Sequence, residues 1–334
     1  MKKTFFLVLL ILFCSGPVFG ENFQDLLNSA ENGSAKEQYL IGEKYYFGNA
    51  GAPQNYKKAF YWFKKAAAQG HAEAQGNIGY MYEQGIGVPR DYKQAAEWFQ
   101  KSAGQGNAKA QNYLGLMHEQ GKGVPKDYKQ AVKLYKKASE HGYAFAQVNL
   151  GVMYDYGKGV PQDYTQAAKW YNKAAQQGNI DAQNYLGVMY EQGKGVPRDY
   201  KQAVEWFKKS AEQGDAFAQN YLGVMYKNGK GVPKDYKQAV EWYKKAAEQG
   251  YELAQGNLGA MYDQGKGVPQ DYKLAYVWKL LAASQRSIDA MKESQIAAKK
   301  LSPNEQAEAE ELASKILYRI DHPDQLPDSQ PIKD

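Results

Sequence analysis

The sequence is almost without cysteine. Its one cysteine among 334 residues, Cys14, lies inside an N-terminal apolar segment. No intramolecular disulfide can form, so the fold has to be stabilised by side-chain packing even in an oxidising compartment. Phe13 stands directly before Cys14. A bacterial lipoprotein signal has a small residue at that position, and this argues against a lipid anchor.

Long apolar runs are also missing. The longest, Phe5–Phe13, has nine residues, whereas a helix that spans a bilayer needs roughly twenty. Two lysines precede this run and Gly16-Pro17 follows it, which is the pattern of a secretory signal peptide. We therefore expect residues 1–20 to be removed by cleavage after Gly20. The mature protein is then periplasmic or secreted, without a membrane span.

A strong excess of one charge is missing as well. The formal net charge is +6, and removal of the two lysines in residues 1–20 lowers it to +4. Lysine pairs such as Lys208-Lys209 are surrounded by glutamate and glutamine, and no run of five like charges occurs. A nucleic-acid interface needs basic residues clustered on one face. The composition therefore predicts a solvated surface of mixed charge and no nucleic-acid partner.

Residue patterns that carry catalysis are absent too. The four histidines, His71, His118, His141 and His322, form neither an HExxH motif nor a pair at metal-ligand spacing. No serine stands in a GxSxG or SxxK motif. The Gly-x-Gly-Val-Pro loops lack the Gly-Lys-Ser/Thr of a phosphate loop. We predict no catalytic residue, no metal site and no cofactor.

What the sequence does contain is a 36-residue repeat. Glutamine, glycine and proline each recur in strict register, and the glutamines are Gln75, Gln111, Gln147, Gln183, Gln219 and Gln255. Seven repeats run from Ala35 to about Ser287, and the first has one extra residue within Gly48–Gly51. A regular period of this length is typical of a helical solenoid.

Repeat two shows the local structure. Residues 72–84 carry apolar side chains at helical spacing and predict a first helix, helix A, which ends at Gly85. The loop to Pro89 cannot continue a helix. Asp91 then caps a second helix, helix B, and Gln94 three residues later suggests a capping box. Gly106 supplies a left-handed C-terminal cap. Each repeat is therefore a helical hairpin.

Two repeated positions predict close helix packing. A glycine inside helix A, Gly79 in repeat two, costs about 1 kcal/mol relative to alanine, so its recurrence indicates a close approach of helix B. The six tryptophans all share one helix B position, which Leu134 fills in repeat three. A ligand site repeated six times is improbable, so we assign this position to the core.

Because a two-helix repeat cannot bury its own apolar face, neighbouring repeats must stack. The sequence therefore predicts an all-α solenoid of about seven repeats within residues 35–287. Residues 21–34 are expected to form an N-terminal capping helix and residues 288–320 two C-terminal capping helices, the second starting at Pro303. Residues 321–334 contain three prolines and are expected to be a disordered tail.

The repeat resembles the Sel-one-like repeat family, a relative of the tetratricopeptide repeats. The stretch AQNYLGVMYEQGKGVPRDYKQAVEWFKKSAEQG at residues 182–214 carries the resemblance, which covers about four-fifths of the mature chain. It implies a right-handed superhelix of antiparallel helix pairs. It also implies an adaptor or receptor role in protein contacts, in bacteria often at the envelope or host interface.

Some cysteine-rich bacterial members of that family are described as penicillin-binding or weakly hydrolytic. This sequence lacks their paired cysteines and has no nucleophile motif. The main hypothesis is therefore a monomeric scaffold with a protein partner, and the alternative is a hydrolase of cell-wall or β-lactam amides. A scaffold for the cell's own envelope proteins and one for host factors both remain open.

The partner is expected on the concave wall formed by helix A of repeats four to seven. In repeat four, helix A carries apolar residues spaced three, four and four apart, where repeat two has Glu73, Gly76, Tyr80 and Gln84. A contiguous apolar patch on a soluble protein commonly marks a binding site. In the open alternative, some of these side chains pack against helix B and enlarge the core. The proposed stripe consists of Phe145, Val148, Val152, Tyr156, Val188, Phe217, Val224 and Leu253.

Overall fold

The computed structural model describes residues 23–48, 51–285 and 288–322, and across these residues it contains seventeen helices and no strand. The prediction of an all-α repeat fold is confirmed. The predicted signal peptide, its cleavage site, Cys14 and residues 323–334 of the expected tail lie outside the described residues. The helices are α1 (Phe23–Glu31), α2 (Ala35–Phe47), α3 (Tyr56–Ala68), α4 (Ala72–Gln84), α5 (Tyr92–Gly104), α6 (Ala108–Gln120), α7 (Tyr128–Glu140), α8 (Ala144–Tyr156), α9 (Tyr164–Gln176), α10 (Ile180–Gln192), α11 (Tyr200–Glu212), α12 (Ala216–Asn228), α13 (Tyr236–Glu248), α14 (Glu252–Gln264), α15 (Tyr272–Ala283), α16 (Ile288–Ala298) and α17 (Pro303–Asp321).

The helices pair along the chain as the repeats predict. Even-numbered helices from α2 to α14 are helix A of repeats one to seven, and each following odd-numbered helix is helix B. By their contacts the residues form two compact parts. Of the described residues, the first part contains residues 23–48, 51–110 and 122–124, and the second contains residues 111–121, 125–285 and 288–322. Repeats four to seven, with the whole proposed stripe, lie in the second part.

Capping side chains and glycines define where the helices begin and end. The Asp91 carboxylate accepts hydrogen bonds from the backbone N–H groups of Lys93 and Gln94, so the predicted N-cap is confirmed. The predicted capping box is wrong. The Asp91 N–H already donates to the carbonyl of Tyr82, and the Gln94 side chain donates to Glu97 instead. At the other ends, Gly85 and Gly106 have φ of 72° and 88°, which favours glycine.

In repeats one to six, the glycine inside helix A lies against an aromatic ring of helix B. A Cβ atom added at Gly79 would lie 2.8 Å from Cδ1 of Phe99, and one at Gly187 would lie 2.5 Å from Cε1 of Phe207. These distances are too short for any side chain larger than hydrogen. The predicted close approach is therefore confirmed, and the cost of a helical glycine is offset by the packing of a fully buried ring.

The tryptophan position is a core position with one face at the surface. Trp62, Trp206 and Trp278 are buried, whereas Trp98 and its equivalents in repeats four and six are half-buried. The half-buried rings pack against core clusters. Lys101 lies over Trp98 with its Nζ 4.2 Å from the ring centroid. A lysine three residues after the tryptophan thus covers the exposed face.

The strictly repeated glutamine connects consecutive helices. In repeat five, buried Gln183 donates from Nε2 to the carbonyl of Ala175 in the last turn of α9, at 3.2 Å. Its Oε1 accepts from Nε2 of Gln213, which follows α11, at 2.9 Å. The amide therefore connects the preceding helix B with both helices of its own repeat. We call this arrangement the glutamine clamp, and Gln147, Gln219 and Gln255 make equivalent bonds.

Replacing Gln183 by leucine is expected to lower the free energy of unfolding by about 1 kcal/mol. The loss is moderate because Gln213 keeps a second acceptor, the carbonyl of Gly178, at 3.2 Å. Chemical denaturation of both proteins, followed by circular dichroism, measures the difference. Gln202→Leu in the same repeat is the control, because the half-buried Gln202 bonds Glu205 of its own helix rather than a neighbouring repeat, and it should change stability by less than about 0.5 kcal/mol. Equal stability of the Gln183→Leu variant and the wild type would show that the clamp does not stabilise the array.

Candidate partner-binding surface

Three residues of the proposed stripe carry large apolar side chains that are mostly exposed. Phe145 is 54% exposed, Tyr156 is 64% exposed and Leu253 is 58% exposed. Phe145 is the second residue of α8 and Leu253 the second residue of α14, so they occupy the same repeat position. A fully packed core residue does not remain this exposed. These side chains are available to a partner.

Val148 has to be removed from the stripe because its side chain is buried, with 8% exposed, in a cluster with Ala168 and Tyr171. It is the fifth residue of helix A. The same position is buried in repeats three and six, where Asn112 and Asn220 stand. Each of these asparagines accepts a hydrogen bond from the helix A of the following repeat. The fifth position therefore faces a neighbouring helix A rather than solvent.

The remaining four stripe residues are half-buried. Val152 packs against the same cluster as Val148, Val188 and Phe217 pack against the core around Phe207, and Val224 packs against the core of repeats six and seven. The Phe217 ring lies 6.4 Å from the Phe207 ring, centroid to centroid. Each of these residues is divided between core and surface, so the stripe has exposed ends and a half-buried middle.

The sixth residue of helix A contributes contacts that our reading of the sequence missed. In repeats two to seven this position carries either asparagine or tyrosine. Asn149 donates to Asn112 at 2.8 Å, and Asn257 donates to Asn220 at 3.0 Å. Tyr185 instead stacks on Tyr171 of the preceding helix B, with ring centroids 4.6 Å apart. The restriction of this position to asparagine and tyrosine in repeats two to seven is visible in the sequence and could have marked it as an inter-repeat contact.

A second aromatic surface, also missed, lies in the first compact part. A cavity of about 160 Å³ is lined by Tyr39, Glu43, Tyr46, Lys109 and other residues of α2 to α4 and α6. The Tyr39 hydroxyl donates a hydrogen bond to Glu43 at 2.7 Å. The pKa of Tyr39 is raised, mainly by burial and to a smaller extent by the Glu43 carboxylate. Burial raises the pKa of Tyr46 to about 12. Both phenols are therefore protonated near neutral pH and can donate hydrogen bonds.

The last repeat departs from the others inside its core. Lys279 occupies the helix B position where Phe207 and Tyr243 stand in repeats five and six, and it is buried, with 5% exposed. Its Nζ lies 3.5 Å from Asp263 and 3.2 Å from Glu293. The lysine borders a cavity of about 390 Å³ between α14, α15 and α16. The charge of Lys279 is therefore compensated within the protein.

The histidines have structural positions. His71 accepts a hydrogen bond from the N–H of Ala74 and caps α4. Nδ1 of half-buried His118 lies 3.3 Å from the carbonyl oxygen of Pro125, and His141 is the C-cap of α7. In residues 23–48, 51–285 and 288–322 no group of three histidine, cysteine or acidic residues could hold a metal ion. Within the same ranges no helix combines the length and hydropathy required to cross a bilayer.

This arrangement of glycine, glutamine and capped helical hairpins matches a known repeat family along most of the chain. The pattern of the Sel1 repeat matches residues 38–71, 72–107, 108–143, 144–179, 180–215, 216–251 and 253–287. The chain belongs to the Sel1 repeat family. This is a family of protein-interaction scaffolds, and the Sel1 repeats account for every helix from α3 to α15.

Solved structures of Sel1 repeat proteins have the same fold. A Sel1 repeat protein from Oxalobacter formigenes is 37% identical, with a TM-score of 0.66 over 81% of this chain and 78% of that one. The c5321 protein, a protective antigen present in uropathogenic Escherichia coli strains, is 26% identical. Its TM-score is 0.52, over 94% of this chain and 99% of that one.

A curated relative is much longer than the region that matches this chain. The ERAD-associated E3 ubiquitin-protein ligase component HRD3A of Arabidopsis thaliana is 38% identical over 65 residues. These residues are 20% of this chain and 10% of that protein. The chain therefore matches about one-tenth of the length of this curated relative.

Proposed function

We propose that the protein is an exported, monomeric and non-catalytic scaffold that binds a protein partner through helix A of repeats four to seven. The single observation that carries the proposal is that Phe145, Tyr156 and Leu253 are each more than half exposed on helix A of repeats four and seven. Large apolar side chains held on rigid helices lose little conformational entropy on binding and are frequent hot spots of protein interfaces.

The half-buried residues Val152, Val188, Phe217 and Val224 complete the proposed surface. They keep part of their area at the surface while the core fixes their orientation. A partner that contacts them buries further apolar area without reorganising the scaffold, and each square ångström contributes about 25 cal/mol. The name of the Arabidopsis relative, a ligase component, supports a role within assemblies. The basic and apolar N-terminal pattern supports export.

Replacing both Phe145 and Leu253 by alanine is expected to reduce partner capture at least roughly tenfold, because each truncated anchor removes buried contact area at the interface. Tagged wild-type and variant proteins are incubated in parallel with periplasmic extract and with host secretions. Captured proteins are quantified by mass spectrometry. Only proteins captured by the wild type and depleted in the double variant count as partners of this surface.

The control is Ile296→Ala, which truncates a side chain on α16 that is 54% exposed, nearly the same as Leu253. Capture by this control should equal that of the wild type, and all three proteins should have melting temperatures within about 2 °C. Undiminished capture by the double variant would reject the proposed surface. A parallel arm with Tyr39→Ala then tests the aromatic cavity of the first compact part.

A further inference from the structure

Ion pairs connect the loop of one repeat with helix A of the repeat before it. The lysine between the two loop glycines lies beside the twelfth residue of the preceding helix A, which is acidic in most repeats. Lys158 lies 3.9 Å from Glu119, Lys194 lies 3.8 Å from Asp155, and Lys230 lies 3.4 Å from Glu191. We call this series the acid–lysine ladder. Each pair is partly exposed, so its contribution to stability is small.

Each loop lysine is also positioned by an aromatic ring. Lys194 lies over Tyr164, the first residue of α9, with its Nζ 4.2 Å from the ring centroid. Lys230 lies 5.3 Å from the Tyr200 ring, and Lys266 lies 5.8 Å from the Tyr236 ring. Because the tyrosine holds the ammonium group in place, the lysine keeps its position whether or not an acidic residue stands opposite.

The ladder is interrupted between repeats six and seven. The twelfth residue of α12 is Lys227, where Glu191 and Asp263 stand in the repeats on either side. By the register of the repeat, Lys227 therefore stands where a carboxylate would pair with Lys266, and no ion pair found within the described residues joins Lys266 to a carboxylate. Lys266 is exposed, whereas its equivalents Lys194 and Lys230 are half-buried.

A third cation lies at the same place. Lys234 lies over the Tyr236 ring with its Nζ 4.9 Å from the centroid. A hydrogen bond with Lys234 and the charges of Lys234, Lys266 and Lys227 lower the pKa of Tyr236. The ammonium groups of Lys234 and Lys266 thus lie over one half-buried tyrosine ring, and the charge of Lys227 acts on the same phenol.

We propose that Lys227, Lys234 and Lys266 bind a carboxylate side chain of the partner protein, which takes the place of the missing acidic residue of the ladder. The inference rests on the proposed scaffold function and names the chemistry that the partner brings. Elsewhere in the second compact part, a glutamate or aspartate lies 3.4 to 3.9 Å from the equivalent lysine. The array itself therefore defines the size and geometry of the group that fits.

The neighbouring surface favours a protein over other polyanions. Val224 lies three residues before Lys227 and on the same side of α12, so the cations border an apolar part of the proposed surface. A partner segment that carries an acidic residue beside an apolar one can contact the lysines and Val224 at the same time. A nucleic acid needs a long basic stripe. The lysine cluster is short, because acidic residues, Glu191 and Asp263, stand at the same position in the repeats on either side.

The test replaces Lys227 by glutamate and measures binding of a short fluorescein-labelled peptide of glutamates around one leucine. Lys227→Glu restores the ladder within the chain, so the new carboxylate occupies the site. Fluorescence polarisation should show at least roughly tenfold weaker peptide binding, with an unchanged or higher melting temperature. Lys227→Gln, which removes the charge without adding an acid, should give a smaller loss. Wild-type binding should weaken with added salt.

The matched control is Lys169→Glu on α9. It makes the same charge change at an exposed position where repeats two, five and six carry Glu97, Glu205 and Glu241. Peptide binding should stay within about twofold of the wild type. Equal loss in both variants would show a general charge effect and overturn the proposal, as would unchanged binding by Lys227→Glu. Stronger binding of inorganic phosphate or of an oligonucleotide than of the peptide would also overturn it.

This assay distinguishes failure of the inference from failure of the proposed function. The peptide contains no recognition sequence for the apolar anchors, and Lys227→Glu leaves Phe145 and Leu253 unchanged. Loss of partner capture with Phe145→Ala/Leu253→Ala, together with full peptide binding by Lys227→Glu, would reject the carboxylate site and retain the scaffold. The reverse pattern would retain the site and reject the apolar surface.

Discussion

Replacing Phe207 by alanine is expected to lower the free energy of unfolding by about 3 to 5 kcal/mol. The ring is fully buried and lies against Gly187. It also stacks on Tyr221 with ring centroids 4.8 Å apart. Removal of the ring leaves a cavity. The surrounding helices cannot move in to fill it, because the repeats on either side hold them in place.

Phe145→Ala is the matched control, because it removes the same side chain from a position that is 54% exposed. Its free energy of unfolding should change by less than about 0.5 kcal/mol. Both variants are measured by denaturant titration in the full chain. If the two substitutions cost the same, the division of aromatic residues between core and surface would be wrong, and so would the choice of Phe145 as an anchor.

Two glycine-to-alanine substitutions in helix A are expected to change the free energy of unfolding in opposite directions. Gly187→Ala places a Cβ atom 2.5 Å from the ring of Phe207, and we expect a loss of about 1 to 3 kcal/mol from overpacking. Gly256→Ala adds the same methyl group within α14, where nothing lies within 4 Å of the new Cβ. It should gain about 0.5 to 1 kcal/mol, because alanine favours the helix.

The comparison is internally controlled, since both changes are glycine to alanine in the interior of a helix A. The two melting temperatures should therefore fall on opposite sides of the wild-type value. A gain in both variants would show that Phe207 moves aside without cost, and a loss in both would show that helix propensity does not govern the Gly256 position. Only a lower melting temperature for Gly187→Ala together with a higher one for Gly256→Ala would support the close approach of helix B at Gly187.

The fold could be predicted from the sequence because the same local signals recur in register. Gly85, Asp91 and Gly106 mark helix ends in repeat two, and the same residue types mark most of the helix ends in the other repeats. The capping box could not be predicted, since it depends on where the Asp91 N–H donates. That donor is used by the carbonyl of Tyr82, a contact between a helix end and a loop that spacing alone does not reveal.

The candidate surface could be predicted less completely. Helical spacing placed Phe145, Val148 and Tyr156 on one stripe, but spacing shows only the direction of a side chain relative to its own helix. It does not show whether a neighbouring helix A covers that direction, as it does at Val148. Polar residues at the same position, Asn112 and Asn220, were the available signal. Asparagines that recur at one position of helix A indicate hydrogen-bonded contacts between neighbouring repeats.

The interruption of the acid–lysine ladder is a signal of another kind. It is visible only as a departure from the repeat, because a single lysine such as Lys227 carries no signal by itself. Its meaning depends on the tyrosine that holds Lys266 in place, and that contact requires the structure. The other repeats thus show that this position ordinarily carries an acid that pairs with a loop lysine, and Lys227 shows where that pairing is missing.

The glutamine clamp has a consequence for how such an array changes its length. Because each clamp repeats after 36 residues with the same partners, unequal recombination can insert or delete a whole repeat without creating a new kind of junction. Phe145, Phe217 and Leu253 share one repeat position and are separated by whole multiples of that period. A gene duplication between two of them would therefore lengthen the distance between anchors in fixed steps, and each anchor would keep its own surroundings.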